Sequence, residues 1–197
     1  MSSPPRTWRS AVALATAAVL TVAGCSGDDQ APSESSPSLQ EPSEAPTIQI
    51  EPVTESGVIV GRLPRKDRKR VEAAVSRTAV RFLEAAYLSG DYPRTDFSGS
   101  FPGLTPGAAA IARRQRNLLT NQRIGGRIDG VTPTLLRVKV DLLAVRTRAA
   151  AATAHVKLGF RTTGKVEKRV RVQGELRLTK SRGTWKIFAY DLTKGVR

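Results

Sequence analysis

The sequence predicts an α+β domain, with N-terminal helices packed on one face of a curved antiparallel sheet of about four strands. Three observations predict it. Between residues 64 and 90 apolar residues recur at three- and four-residue steps, the period of a helix. From about residue 135 the period changes to two, as in a half-buried strand. The alternating runs are joined by short turns, which favour antiparallel hairpins over long crossovers.

The first helix is carried by PRKDRKRVEAAVSRTAVRFLEAAYLSGDYP, in which Val71, Val75, Thr78, Phe82 and Ala86 share a face. Pro64 suits its start and Gly90 its end. A second helix is signalled by LTPGAAAIARRQRNLLTNQRIGG. Thr105 can cap it, Pro106 fits its first turn, and Gly125 ends the run. Ala108, Ile111, Leu118 and Leu119 are its expected buried residues, and Arg113, Arg114 and Arg116 form a basic cluster on its middle.

Four strands follow. Leu136, Val138, Val140 and Leu142 alternate with Arg137, Lys139 and Asp141; Ala154, Val156, Leu158 and Phe160 alternate with His155, Lys157 and Arg161. In VEKRVRVQGELRLTK the apolar face is Val166, Val170, Val172, Leu176 and Leu178, and the other carries Glu167, Arg169, Arg171, Glu175 and Arg177. In GTWKIFAYDL, Trp185, Ile187 and Ala189 face one way and Phe188 and Tyr190 the other. Turns are expected at Ala149-Ala150, Gly164-Lys165 and Arg182-Gly183.

The start of the chain is organised differently. Residues 1–10 carry Arg6 and Arg9 and no acid, and residues 11–23, AVALATAAVLTVA, are apolar apart from two threonines. A basic head, a short apolar core and small residues at the exit describe a secretory signal. Its core is too short for a helix that needs roughly 20 residues to span a bilayer. Arg6 and Arg9 are not adjacent, so the general secretion route is expected. The run ends in Val22-Ala23-Gly24-Cys25, with the chain's one cysteine. This resembles the lipobox of bacterial lipoproteins. The resemblance implies that residues 1–24 are removed as a signal peptide. Cys25 would then be the first residue of the mature chain, holding a diacylglycerol through a thioether. Two acyl chains suffice for stable anchoring where one is marginal, so the expected address is the extracytoplasmic face of the cell membrane.

Residues 25–57 then read as the lipidated cysteine and a tether. Proline and serine are frequent, and seven carboxylates (Asp28, Asp29, Glu34, Glu41, Glu44, Glu51, Glu55) occur with no lysine or arginine. Such composition does not repay the entropy of ordering, so disorder is expected, with only Thr47 to Ile50 (TIQI) carrying a short strand pattern. The domain is expected over 58–197.

The order of elements over residues 65–193, with a long first helix ending in YLSGDY, resembles the nuclear-transport-factor-2-like fold, the cystatin-like cone. It is similar to that of small actinobacterial lipoproteins and Mce-associated membrane proteins. The resemblance implies a cone-like domain that serves an envelope complex or holds a small apolar ligand. A pocket lined by Phe82, Leu118, Val140, Phe160 and Trp185 would serve such a ligand. Enzymes of the isomerase and cyclase type in this superfamily use an acid or histidine inside the cone. Asp141, His155, Tyr190 and Asp191 are the candidates here. Alternation places Asp141 and His155 on the polar face, away from the helices, whereas Asp191 is in phase with Trp185 and Ile187.

Other chemistry lacks material. One histidine and one cysteine cannot build a common zinc site, and no G-x-S-x-G, glycine-rich phosphate loop or H-E-x-x-H occurs. No cofactor is expected, and a non-catalytic binding or assembly module in the cell envelope is the expected role. Charge points the same way. The chain carries +15 at pH 7. Two of its 32 basic residues lie in the head, and seven of its 17 acids lie in the tether, leaving residues 58–197 with 30 and 10, about +20. Such a domain favours anionic partners. The secretory signal argues against nucleic acid, which leaves anionic lipid headgroups or wall polymers. The candidate surface is the basic sheet face: Arg137, Lys139, Lys157, Arg161, Arg169, Arg171 and Arg177.

Overall fold

The computed structural model describes residues 50–196. The signal peptide, Cys25 and the tether up to residue 49 lie outside the described residues; of TIQI only Ile50 is described, and it belongs to no element. The described chain is α+β. It runs β1 (Val53–Val60), α1 (Arg65–Leu83), a π-helical turn (Glu84–Leu88), α2 (Pro106–Arg114), α3 (Arg116–Leu119), a 3-10 turn (Gly125–Arg127), β2 (Gly130–Val145), β3 (Arg148–Thr163), β4 (Arg169–Ser181) and β5 (Thr184–Val196).

The strands form one five-stranded sheet in chain order. β2 to β5 are antiparallel neighbours, as expected. β1 is an additional strand, parallel to β2, so the sheet is mixed and α1 forms the crossover. Residues 53–57, assigned from composition to the tether, therefore belong to the domain. Composition misled because the inward side of β1 is polar. Thr54 Oγ1 lies 2.7 Å from Ser76 Oγ of α1, and Ser56 Oγ donates to Glu72 Oε2 at 3.0 Å. Glu72, 7% exposed, is held by Arg68 Nε at 2.9 Å. A buried polar side chain is tolerated when hydrogen-bonded, and here the bonded pairs fasten β1 to α1.

The expected period of α1 holds: Val75, Phe82 and Ala86 are fully buried and Val71 nearly so. They pack with the inward residues of the sheet, including Val138, Val140, Leu158, Phe160, Val172, Leu176 and Ile187, in one core cluster. Gly90 follows with φ +108°. Thr105 caps α2, its Oγ1 accepting from Ala108 N–H at 3.4 Å. The second helix is shorter than expected, because it breaks at Gln115 and only one further turn follows. The break changes the phase of the residues after it, Leu118 among them, whereas Ile111 lies before it on the exposed side of α2. Ala108 and Leu119 are buried, but Ile111 and Leu118 are 53% and 37% exposed, contrary to expectation.

The β2–β3 turn falls at Arg146-Thr147, both with positive φ, rather than at Ala149-Ala150. The Arg182-Gly183 turn is where expected. Val166 precedes β4 rather than opening it.

β5 holds the largest change of phase. The β4–β5 register slips by one residue, so that Leu178 faces Ile187 but Arg177 faces Ala189, leaving Phe188 as the extra residue. A bulge sends all later side chains to the opposite face. Ala189 and Asp191 thereby leave the face of Trp185 and Ile187. Tyr190 turns toward the helices, where its hydroxyl donates to Gln115 Oε1 at 2.9 Å.

Candidate functional site

The outer face of the sheet, opposite the helices, is ordered in rows across the strands. One row is Glu55, Lys139, His155, Glu175 and Asp191. The next toward the β3–β4 turn holds Arg137, Lys157, Gln173 and Thr193. Beyond it Gly159 faces Arg171, and then Arg161 faces Arg169. On the other side of the first row lie Asp141, Thr153, Arg177 and Ala189.

All seven predicted cations are exposed on this face, but they do not form one uniform patch. Lys139 and Arg177 stand among acids, with Arg177 Nη2 3.7 Å from Glu175 Oε2. The other five occupy rows that contain no acid. Among the described residues, none of Arg137, Lys157, Arg161, Arg169 and Arg171 has an ion-pair partner. Two of the juxtapositions, Arg137 with Lys157 and Arg161 with Arg169, are direct cross-strand pairs of like charge. Like charges placed directly opposite across strands are destabilising. A groove of about 540 Å³ runs along this end, lined by Thr134, Leu135, Gly159, Arg161, Arg169 and Arg171 among others. Gly159 leaves it open.

A second groove, about 720 Å³, crosses the mixed rows. In it Asp141 Oδ2 is 2.8 Å from His155 Nε2, and Glu175 Oε1 is 3.5 Å from His155 Nδ1. Asp141 Oδ1 also accepts from Val58 N–H at 2.8 Å. Gly57 permits this approach, since a Cβ there would collide with Asp141 Oδ1. Desolvation pushes the Asp141 carboxyl upward, but the hydrogen bonds from His155 and Val58 outweigh it and leave its pKa below the ordinary value.

The acid–base candidates thus fall as follows. Asp141 and His155 are on the outer face, as alternation predicted, and the Phe188 bulge brings Asp191 there too. The isomerase-like expectation needed such groups on the helix side of the sheet. Tyr190 lies on the helix side, and desolvation raises its pKa. Of the five residues proposed to line an apolar pocket, Phe82, Val140, Phe160 and Trp185 are buried in the continuous core. Leu118 is partly exposed, and Phe160 alone borders one of the grooves described above.

Glu55 escaped the expectation from sequence, and Asp191, named there as a candidate, was placed on the wrong face. A tether assignment hid the first, and an unreadable bulge misplaced the second. Three consecutive β-branched residues, Val58, Ile59 and Val60, were the available signal for a strand. Among the described residues no three His, Cys, Asp or Glu side chains are gathered so as to hold a metal ion. No described helix is long and apolar enough to cross a membrane. The basic cluster of α2 and α3 is surface: Arg113 and Arg114 are exposed, and Arg116 is half-buried with its Nε donating to Arg113 O.

No protein-family model matches this chain, and no match to it was found among the curated proteins.

Proposed function

We propose that this chain is a lipoprotein anchored through Cys25 on the extracytoplasmic face of the cell membrane. Its cone-like domain binds an anionic envelope partner without catalysis. The binding surface is the acid-free end of the outer sheet face: Arg137, Lys157, Arg161, Arg169 and Arg171. The observation that carries this reading is the stacking of like charges across strands, Arg137 with Lys157 and Arg161 with Arg169, in rows that contain no acid. That arrangement costs the free domain stability and is relieved when an anion sits between the cations. Side by side, these rows suit a polymer of repeated negative charge better than a single small anion. An envelope assembly of the kind the Mce-associated resemblance implies would place such a module beside the membrane.

The test uses the full chain with Cys25→Ser, titrated with long-chain inorganic polyphosphate across a salt series. Binding that weakens as salt rises supports the reading, since release of counterions drives such association. No binding at low salt would refute it. The anchor is tested separately. The native chain expressed in a bacterial host should gain the mass of a diacylglyceryl group, and Cys25→Ser should not.

A further inference from the structure

The same outer face ends differently at the other side of the mixed rows. Val58, Val60, Leu143, Val145 and Phe188 are 60%, 59%, 43%, 53% and 47% exposed. They are five of the nine large exposed hydrophobic residues among those described. Scattered exposed aliphatics need no explanation, but a cluster does. Four of these five, all but Val145, line one shallow groove of about 530 Å³ together with Ala151, Thr153 and Arg177. Val60 faces Leu143 across the β1–β2 pair. Val145 ends β2 at the adjoining hairpin tip.

The surroundings of this patch are cationic. Arg62 follows β1; Arg146 and Arg148 form the β2–β3 tip; Arg177, Arg182 and Lys186 belong to the β4–β5 hairpin. Asp141, the one carboxylate lining the groove, is occupied by His155 and the Val58 N–H. The β2–β3 tip also departs from what stability alone selects. Two-residue hairpin turns with both φ positive favour Asn-Gly, yet Arg146 and Thr147 stand there with φ 49° and 63°. For a β-branched residue this is a strained conformation.

We propose that this end of the domain rests on an anionic lipid bilayer, the five apolar side chains entering the headgroup boundary and the surrounding cations meeting lipid phosphates. A bilayer supplies both chemistries at once, an apolar interior beneath a negative surface. A hydrophilic polyanion would leave the apolar patch in water. The orientation turns the basic groove at the β3–β4 end away from the membrane. Leu143 and Arg137 are six residues apart on β2, about 20 Å along a strand, so the two surfaces can be occupied together. Nothing here requires acylation of Cys25, and the test is made on a chain that cannot be acylated.

In the full-length Cys25→Ser chain a single cysteine is introduced at Val145 and labelled with the environment-sensitive dye NBD. A second chain carries the label at Arg169. Each is mixed with vesicles of phosphatidylglycerol and phosphatidylcholine, with and without nitroxide-labelled lipid. The expected result is a blue shift and nitroxide quenching at position 145, with no change at 169. Adding Leu143→Ser and Phe188→Ser should abolish the response at 145, with circular dichroism confirming an unchanged fold. No response at 145, or an equal response at both positions, would overturn the proposal. Neither result bears on polyphosphate binding, so failure here and failure of the proposed function remain separable.

Discussion

Phe160 and Arg161 are adjacent in β3, yet Phe160 is 1% exposed inside the core while Arg161 stands in solvent facing Arg169. The two faces of the sheet repeat this contrast along β2, β3 and β4. The inner face is constrained by packing against α1 and tolerates little. The outer face contributes little to folding and even holds like charges together.

This contrast can be broken most strongly at its sharpest point. Phe160→Ala should cost about 3–5 kcal/mol, because a large side chain is removed from a packed core. Arg161→Ala should stay within about 0.5 kcal/mol, as surface substitutions do, or stabilise slightly by ending its repulsion of Arg169. Urea denaturation of the two variants measures both. Equal losses would mean that the outer face is structural after all.

The reverse contrast is expected in binding. Replacing Arg161, Arg169 and Arg171 together with glutamine should weaken polyphosphate binding by about 100-fold, if each basic side chain is worth about 1 kcal/mol near an anionic surface. Phe160→Leu, which keeps the fold, should leave affinity unchanged. Calorimetry at fixed ionic strength compares them.

A smaller effect belongs to the mixed row. Asp141→Ala removes the acceptor for His155 and for the Val58 N–H, and should cost about 1–2 kcal/mol at neutral pH. The Asp141 pKa is lower in the folded chain than in the unfolded one. Its carboxylate therefore stabilises the fold fully above about pH 4, the unfolded value. That contribution is lost as pH falls through the lower folded value. The stability gap between the parent and Asp141→Ala should accordingly narrow below pH 4. A gap that widened on acidification would contradict the hydrogen bonding described here. Gly57→Ala should mimic part of the loss, since the added methyl displaces Asp141 from β1.

How far the sequence could be read follows from the same contrast. Period-two alternation is written by the packing requirement of the inner face. β2 through β4 were therefore legible, and with them the outward placement of all seven cations. The helix of Val71, Val75 and Phe82 was legible for the same reason. What escaped is what that requirement does not control. β1 meets α1 through Thr54, Ser56, Glu72 and Ser76, a polar match that resembles a tether when only one side is seen. The Phe188 bulge inserts a residue without leaving a gap in hydrophobicity, so Asp191 was assigned to the wrong face. The break at Gln115, which no glycine or proline announced, put Leu118 out of phase with α2, and Ile111 lies on the exposed side of α2 itself. The division of the outer face into apolar, mixed and basic zones depends on two of these features, the added strand and the bulge.

The most direct test of the central claim is to locate the anion rather than merely detect it. Backbone amide shifts of the isotope-labelled full-length Cys25→Ser chain would be followed during titration with polyphosphate. The account predicts that perturbations gather at Arg137, Lys157, Gly159, Arg161, Arg169 and Arg171, and spare Arg146, Arg148 and Arg182 at the opposite end. Perturbations centred on Arg113, Arg114 and Arg116, or spread evenly over every exposed arginine, would contradict it.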